Sequence, residues 1–355
     1  REIKEVKKKW SDRALVVSLM APCTEESWKN LLKRVEDTEA DGVELNFGCP
    51  HGMSERGMGA AVGQVPDYVE MVTRWVKSNT RMPVLVKLTP NVGDIRMPAR
   101  AAKRGGADGI SLINTINSIT NVDLDLMAPM PTVGGKGTHG GYCGPAVKPI
   151  AMNMVAEIAR DPDTYGLPIS GIGGISNWKD AAEFMALGSQ SVQVCTAAMH
   201  YGFKIVEDMI DGLNNWMDSK GYRRLEDFVG LAIPNITNWN LLDLNYQVVA
   251  EINQETCIGC GICYIACEDT SHQAIEKITE KITEKVTEKT TEKTTEKVRP
   301  NDRRNDYKII EKECVGCNLC ALACPVPNVI KMVQVKNGKA FLNWTKHPNN
   351  PMRES

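Results

Sequence analysis

Eight of the twelve cysteines in this 355-residue chain fall in two short runs, Cys257-x2-Cys260-x2-Cys263-x3-Cys267 and Cys314-x2-Cys317-x2-Cys320-x3-Cys324-Pro325. A structural zinc site takes two separated CxxC pairs, not four thiols packed this closely and then repeated. Grouping of this kind favours metal over disulfides and points to a reducing compartment, the cytoplasm. The formal net charge of −2 argues against a nucleic-acid binder. No apolar run reaches the ~18–20 residues that span a membrane.

The doubled spacing is that of a two-cluster bacterial ferredoxin, in which the fourth Cys of each run ligates the other cluster. Cys257, Cys260, Cys263 and Cys324 are therefore expected to hold one 4Fe–4S centre. Cys314, Cys317, Cys320 and Cys267 are expected to hold the second. The alternative is a pair of purely structural metal sites. Cys267 is followed by Glu268 rather than Pro, a departure that removes no ligand.

Ahead of these runs, apolar stretches alternate with amphipathic ones. Strands are expected at 14–20, 42–47, 83–89, 109–115, 168–174 and 191–196. Helices are expected at 25–38, capped by Thr24, and at 67–78, 95–104, 150–160, 178–187 and 203–220, with the end of another at 1–10. Near-continuous apolar strands between such helices read as a parallel α/β sheet. Polar residues recur at the C-terminal strand ends: Asn46, Lys87, Asn114, Thr115, Thr196. A (βα)8 barrel puts its active site on that face; a doubly wound open sheet is the alternative. Six strands are two short of a whole barrel, so either the first two are missing or the sheet is open. The expected organisation is a partial barrel at 1–230, a connector at 231–250, a small α+β ferredoxin-like domain at 251–340 and a tail at 341–355. A Lys-x-Thr-Glu repeat at 277–297 reads as a solvated low-complexity insertion.

The stretch most suggestive of chemistry follows the second strand. Asn46-Phe47-Gly48-Cys49-Pro50-His51-Gly52 puts a thiol on a loop just past a strand end, before a Gly-rich run to Gly59. A core Cys in an ordinary turn is the alternative. A free thiol has a pKa of about 8.5 and can donate a proton at neutral pH. His51 is placed either to tune it or to pack the loop. Cys23, Cys143 and Cys195 are not expected to be nucleophiles. Lys87, at the end of an apolar strand, must meet an anion, a polar ring or a barrel carboxylate. The run Gly171-Ile172-Gly173-Gly174 leaves room for a phosphate to approach the backbone, or for tight packing. Iron–sulfur centres carry single electrons, so a neighbouring barrel enzyme calls for a flavin to convert between one- and two-electron steps.

Taken together, Asn46 to Gly59, Lys87-Leu88-Thr89-Pro90-Asn91, Asn114-Thr115, Gly140-Gly141-Tyr142-Cys143-Gly144, Gly173-Gly174 and the doubled Cys runs resemble dihydropyrimidine dehydrogenase, in particular the catalytic subunit of the bacterial NAD-dependent type. The resemblance implies an FMN barrel fused to a two-cluster ferredoxin domain, reducing uracil or thymine to the 5,6-dihydropyrimidine. It implies Cys49 as proton donor, and Asn46, Phe47, Gly48, Asn114 and Thr115 around the pyrimidine. It implies FMN held by Lys87, Gly144, Ile172, Gly173, Gly174, Cys195 and Thr196. Gly48 stands where animal relatives carry Ser, so no hydroxyl is offered there. No GxGxxG follows a strand, so NADH is expected to act through a partner, an FAD/iron–sulfur flavoprotein subunit. The family's barrel has two strands before the point matching residues 14–20, so an incomplete barrel with poor FMN binding is expected. Two other readings remain: a dihydroorotate dehydrogenase-like FMN enzyme, against which the fused ferredoxin domain and the Cys-Pro-His-Gly-Met loop argue, and an electron-transfer protein with an inactive barrel.

Overall fold

Alternation within the strands decides how the first unit is built. In β2 (Gly42–Asn46), Val43 and Leu45 are fully buried, while Glu44 and Asn46 point to the other face. The same alternation runs through β3 (Val84–Lys87), β4 (Gly109–Leu112) and β5 (Ile169–Ile172). Val43, Leu45, Val84, Val86, Ile110, Leu112 and Ile169 join one core with the helix residues Trp28, Leu32, Val69, Val72, Val76 and Ala99. With β1 (Val16–Leu19) and β6 (Ser191–Gln193), these strands form a six-stranded parallel sheet in chain order. The six expected strands are found in this sheet, each shorter than expected at one end or both. The computed structural model describes residues 1–50, 56–270, 272–278 and 306–353, and the chain divides into two compact units, Arg1–Ile236 and Thr237–Ser355.

Two observations show that the sheet curls. First, Gln193 of β6 donates from Nε2 to Glu44 Oε2 of β2 at 3.0 Å, although three strands lie between them in the sheet. In a flat sheet those strands would stand about 19 Å apart, beyond the reach of two such side chains. Second, the helices form one continuous layer. With α1 (Glu2–Lys9) at the start of the chain and the short α3 (Ala60–Gly63) set apart, these are α2 (Glu25–Glu36), α4 (Pro66–Asn79), α5 (Arg96–Arg104), α6 (Lys148–Ala159) and α7 (Trp178–Ala186), each packed on the next. A doubly wound sheet would split them between two faces. The fold is an arc of barrel, apolar outside beneath its helices and polar within.

Local signals held at several ends. Thr24 caps α2 by accepting from Ser27 N at 3.4 Å. Asn177 caps α7 by accepting from the amides of Lys179 and Asp180. α6 starts two residues earlier than its apolar pattern, because Pro149 is tolerated in a first turn. The strand expected to reach Thr196 stops at Gln193, and Thr196 instead opens a short helix, α8 (Thr196–Tyr201), ahead of α9 (Ile205–Lys220). The long loop after β4 carries two small antiparallel pairs, Ile116–Ser118 with Gly140–Tyr142 and Val122–Asp123 with Ala128–Pro129.

The second unit is α+β. β7 (Val248–Ile252) pairs antiparallel with β10 (Ile330–Gln334), and β8 (Ile275–Ile278) with β9 (Asp306–Ile309). α10 (Ile262–Glu268) packs on α11 (Leu319–Ala323). Three boundaries differ from expectation. β7 begins inside the expected connector. Lys277 and Ile278, the first residues of the expected insertion, belong to β8; the rest of the repeat lies outside the described residues. The expected tail is tied back, since Leu244 N donates to Leu342 O at 2.7 Å and Asn343 is buried.

Arg100 of α5 grips the buried Asp161 carboxylate through two bonds of 2.7 and 2.8 Å. The Arg100 bond holds the Asp161 carboxyl below the usual range, against the opposing effect of burial. Its stabilisation is complete above the unfolded value of about 3.9 and is lost as pH falls through the lower folded value. Asp161→Asn is therefore expected to lower the urea midpoint at pH 7, with the deficit shrinking as pH falls below about 4. A deficit that stays constant down to pH 2 would contradict this.

Candidate functional site

The C-terminal ends of the strands enclose a cleft of about 810 Å3, open solvent included. Asn46 (β2) and Lys87 (β3) are register partners, and both line it. So do Asn114, Thr115, Gly144, Ile172, Gly173, Gly174, Cys195 and Thr196. The structure thus gathers every residue to which the resemblance gave FMN, and three of the five given to the pyrimidine. Cys143 and Gln193 line the same cleft. Thr196 Oγ1 donates to Cys143 Sγ at 3.4 Å.

One side chain organises the loop after β2. Asn46 Oδ1 accepts from the amides of Gly48 and Cys49, both at 3.2 Å, and from Asn114 Nδ2 at 2.9 Å. The first two bonds fold the turn as an Asx-type turn. The third locks it to the end of β4. Asn114 is fixed further by its own amide, which donates to Leu88 O, and by Thr115 N, which donates to Asn114 Oδ1. On the other side of the thiol, Ala60 N donates to Cys49 O at 3.2 Å. Cys49 is partly buried and held at both flanks.

Two expected substrate residues act otherwise. The Phe47 ring is fully buried against Trp28, edge-on at 6.1 Å, so it anchors the loop to the core and leaves no side chain for a ligand. Gly48 lies against Asn114: a Cβ there would sit 2.3 Å from Asn114 Cβ. Its smallness lets Asn114 approach. His51 and residues 52–55 of the Gly-rich run lie outside the described residues.

The cleft offers an unpaired hydroxyl and open backbone to a polar ligand. Thr115 Oγ1 is buried at the cleft without a hydrogen-bond partner among the described residues, an arrangement that costs free energy until a ligand or water supplies one. Gly173 and Gly174 have φ of +137° and +75°, and a Cβ on Gly174 would lie 2.7 Å from Gly144 O. Only glycine allows the backbone to turn there and line the cleft.

Inside the arc runs a polar network that the apolar strand pattern concealed. Glu44 Oε2 accepts from Ser111 Oγ at 2.7 Å and from Gln193 Nε2 at 3.0 Å. Lys87 Nζ stands 3.4 Å from Glu44 Oε1 and donates to Gln193 Oε1 at 3.4 Å. Lys87 thus meets a barrel carboxylate and also faces the cleft. The available signal was polar residues at alternate positions in Val43-Glu44-Leu45-Asn46, Ile110-Ser111-Leu112 and Ile169-Ser170-Gly171.

In the second unit the cysteines line two cavities. Cys257, Cys260, Cys263 and Cys324 line one; Cys314, Cys317, Cys320 and Cys267 line the other. Each run thus gives its fourth Cys to its neighbour's cavity. The runs wrap alike, with left-handed backbone at Gly259 and Gly261 in the first and at Gly316 and Asn318 in the second. Backbone amides donate to sulfur at Cys257 (from Gly259), Cys267 (from Ala274) and Cys314 (from Ala250), a pattern suited to thiolate ligands. Burial pushes the Cys320 thiol up to about 11, with Cys314 and Cys317 adding to it; a cationic centre reverses that balance. Among the described residues, no three His, Cys, Asp or Glu come together as ligands of a single metal ion.

A dihydroorotate dehydrogenase family model matches residues 1–217, and a 4Fe-4S dicluster domain model matches residues 250–293. The chain is 46% identical over 274 residues to the PreA subunit of NAD-dependent dihydropyrimidine dehydrogenase from Escherichia coli, covering 77% of this chain and 66% of that subunit. It is 40% identical over 240 residues to the chloroplastic dihydropyrimidine dehydrogenase (NADP(+)) of Arabidopsis thaliana, covering 67% and 56%. It is 38% identical over 231 residues to the catalytic subunit of dihydroorotate dehydrogenase B (NAD(+)) of Pyrococcus abyssi, covering 65% and 73%. The solved DHODH of Eimeria tenella in complex with ferulenol superposes with a TM-score of 0.51 at 21% identity, over 64% of this chain and 66% of that one. The chain belongs to the dihydroorotate dehydrogenase family. Within it, the chain is similar to the dihydropyrimidine dehydrogenases whose motifs its sequence carries, and it spans less than two thirds of the length of both that are named here. No helix among the described residues is long and apolar enough to cross a membrane.

Proposed function

We propose that this chain carries the catalytic site of a dihydropyrimidine dehydrogenase of the NAD-dependent type, working in the cytoplasm. FMN would lie in the cleft, held by Lys87, Gly144, Ile172, Gly173, Gly174, Cys195 and Thr196, and would supply the two-electron chemistry at the pyrimidine double bond. Two 4Fe–4S clusters would occupy the cysteine cavities, one on Cys257, Cys260, Cys263 and Cys324 and one on Cys314, Cys317, Cys320 and Cys267. They would relay electrons that a partner FAD/iron–sulfur flavoprotein draws from NADH. The six strands are taken as part of a (βα)8 barrel.

The observation that carries this reading is the Asn46 side chain. One oxygen ties the Cys49 loop and Asn114 together at a cleft whose far wall is Gly173 and Gly174. Asn46 Nδ2 and Thr115 Oγ1 remain for the amide-like edge of a pyrimidine. Cys49, held at its amide and carbonyl, donates the proton to one ring carbon while the other receives the hydride. A dihydroorotate dehydrogenase reading is favoured by the family model and by the Pyrococcus catalytic subunit. Uracil and orotate separate the two.

Cys49→Ala is expected to cut uracil turnover by about 10²–10⁴-fold, the usual contribution of a general acid, while the flavin stays bound. Unchanged turnover, or turnover of orotate in preference to uracil, would contradict the assignment. The crossed cysteines make a second prediction. Cys324→Ser is expected to lose the cluster shared with Cys257, Cys260 and Cys263, so that iron per chain falls by half. Retention of the parent's iron content would contradict Cys324 as a cluster ligand.

A further inference from the structure

Glu44 is a buried carboxylate, 7% exposed, and no step above uses it. Its Oε2 is fixed by neutral donors, Ser111 Oγ at 2.7 Å and Gln193 Nε2 at 3.0 Å. Its Oε1 is turned to Lys87 Nζ at 3.4 Å. Lys87 also meets Gln193 Oε1 at 3.4 Å, and Gln193 Nε2 is shared with Ser170 Oγ at 3.2 Å. Both contacts to Lys87 lie at the long end of the hydrogen-bond range, whereas those to Glu44 Oε2 are ordinary. The carboxylate is therefore the fixed point of the network. The ammonium is the member with freedom to lean into the cleft that it lines.

We propose that Glu44 is a positioning residue that sets how much positive charge Lys87 presents to a redox ring in the cleft, with Gln193 moderating it. The inference rests on the FMN reading. A cation facing a ring that takes up negative charge on reduction favours the reduced form. A carboxylate behind that cation offsets part of the effect, and the Gln193 amide weakens the carboxylate in turn. Two substitutions therefore act in opposite directions. Glu44→Gln keeps the shape and removes the negative charge, which favours the reduced ring. Gln193→Met removes the moderating amide and leaves Glu44 as the main partner of Lys87, which disfavours it. A purely structural role would loosen the cleft in both variants and move both the same way.

The test is the midpoint potential of FMN bound to the full chain, with its dissociation constant read by flavin fluorescence. Glu44→Gln is expected to raise the preference for reduced over oxidised FMN about tenfold, a positive shift of about 30 mV for a two-electron couple. Gln193→Met is expected to shift the potential negative. FMN bound with an unchanged potential in Glu44→Gln, or with both variants shifted in one direction, overturns the positioning role alone. Failure of the unsubstituted chain to take up FMN overturns the reading beneath it and the inference with it.

Discussion

Gln193 reaches Glu44 across three intervening strands, and the cleft depends on that contact. Strands are spaced about 4.8 Å apart, so only a strongly curled sheet brings β2 and β6 within reach of one hydrogen bond. The same curl brings Asn46 and Lys87, at the end of one side of the arc, opposite Gly173, Gly174 and Thr196 at the other. A flat sheet built of these strands would keep each residue in its place and have no cleft. Burying Glu44 is costly unless its oxygens are satisfied, and Ser111, Gln193 and Lys87 satisfy them together. The polar interior thus both requires the curvature and profits from it.

Above that floor, the Cys49 loop is held by amides rather than by its thiol. Asn46 Oδ1 takes three donors, and Asn114 spends its own carbonyl oxygen on Thr115 N. Thr115 Oγ1 is left without a partner at the cleft among the described residues. Phe47 serves the same end from below by locking the loop to Trp28. The second unit repeats the logic of satisfied polar groups in sulfur. Two runs of like backbone exchange their fourth Cys, and amides point at thiol sulfur.

Much of this was legible in the chain itself. Asn46, Lys87, Asn114 and Gly173 stand at or just past the ends of apolar strands, and the structure gathers them with Thr196 in one cleft. The doubled cysteine spacing, that of a two-cluster ferredoxin, points to the crossed grouping, and the cysteines line two cavities in that grouping. Glu44, Ser111, Ser170 and Gln193 were hidden because each is flanked by apolar residues, so the strand reads as a continuous apolar run. Their partners lie 67 and 149 residues away, which no local pattern reveals. Phe47 packs on Trp28 and Gly48 lies against Asn114, placements the pattern does not show, because adjacency to Cys49 does not say which way a side chain points and in an extended segment neighbours face opposite sides. The strand pattern runs on to Thr196, because nothing in Gln193-Val194-Cys195-Thr196 marks the point at which the chain turns into a helix.

The curled sheet with its polar floor is tested most directly by a double-mutant cycle on unfolding free energy, with Glu44→Ala and Gln193→Ala singly and together. Side chains in direct contact couple by about 0.5–3 kcal/mol, and separated ones add within about 0.3–0.5 kcal/mol. A coupling well above 0.5 kcal/mol is the expected result. Strict additivity would mean that the two strands never meet, and that the sheet is open and flat where a cleft is described.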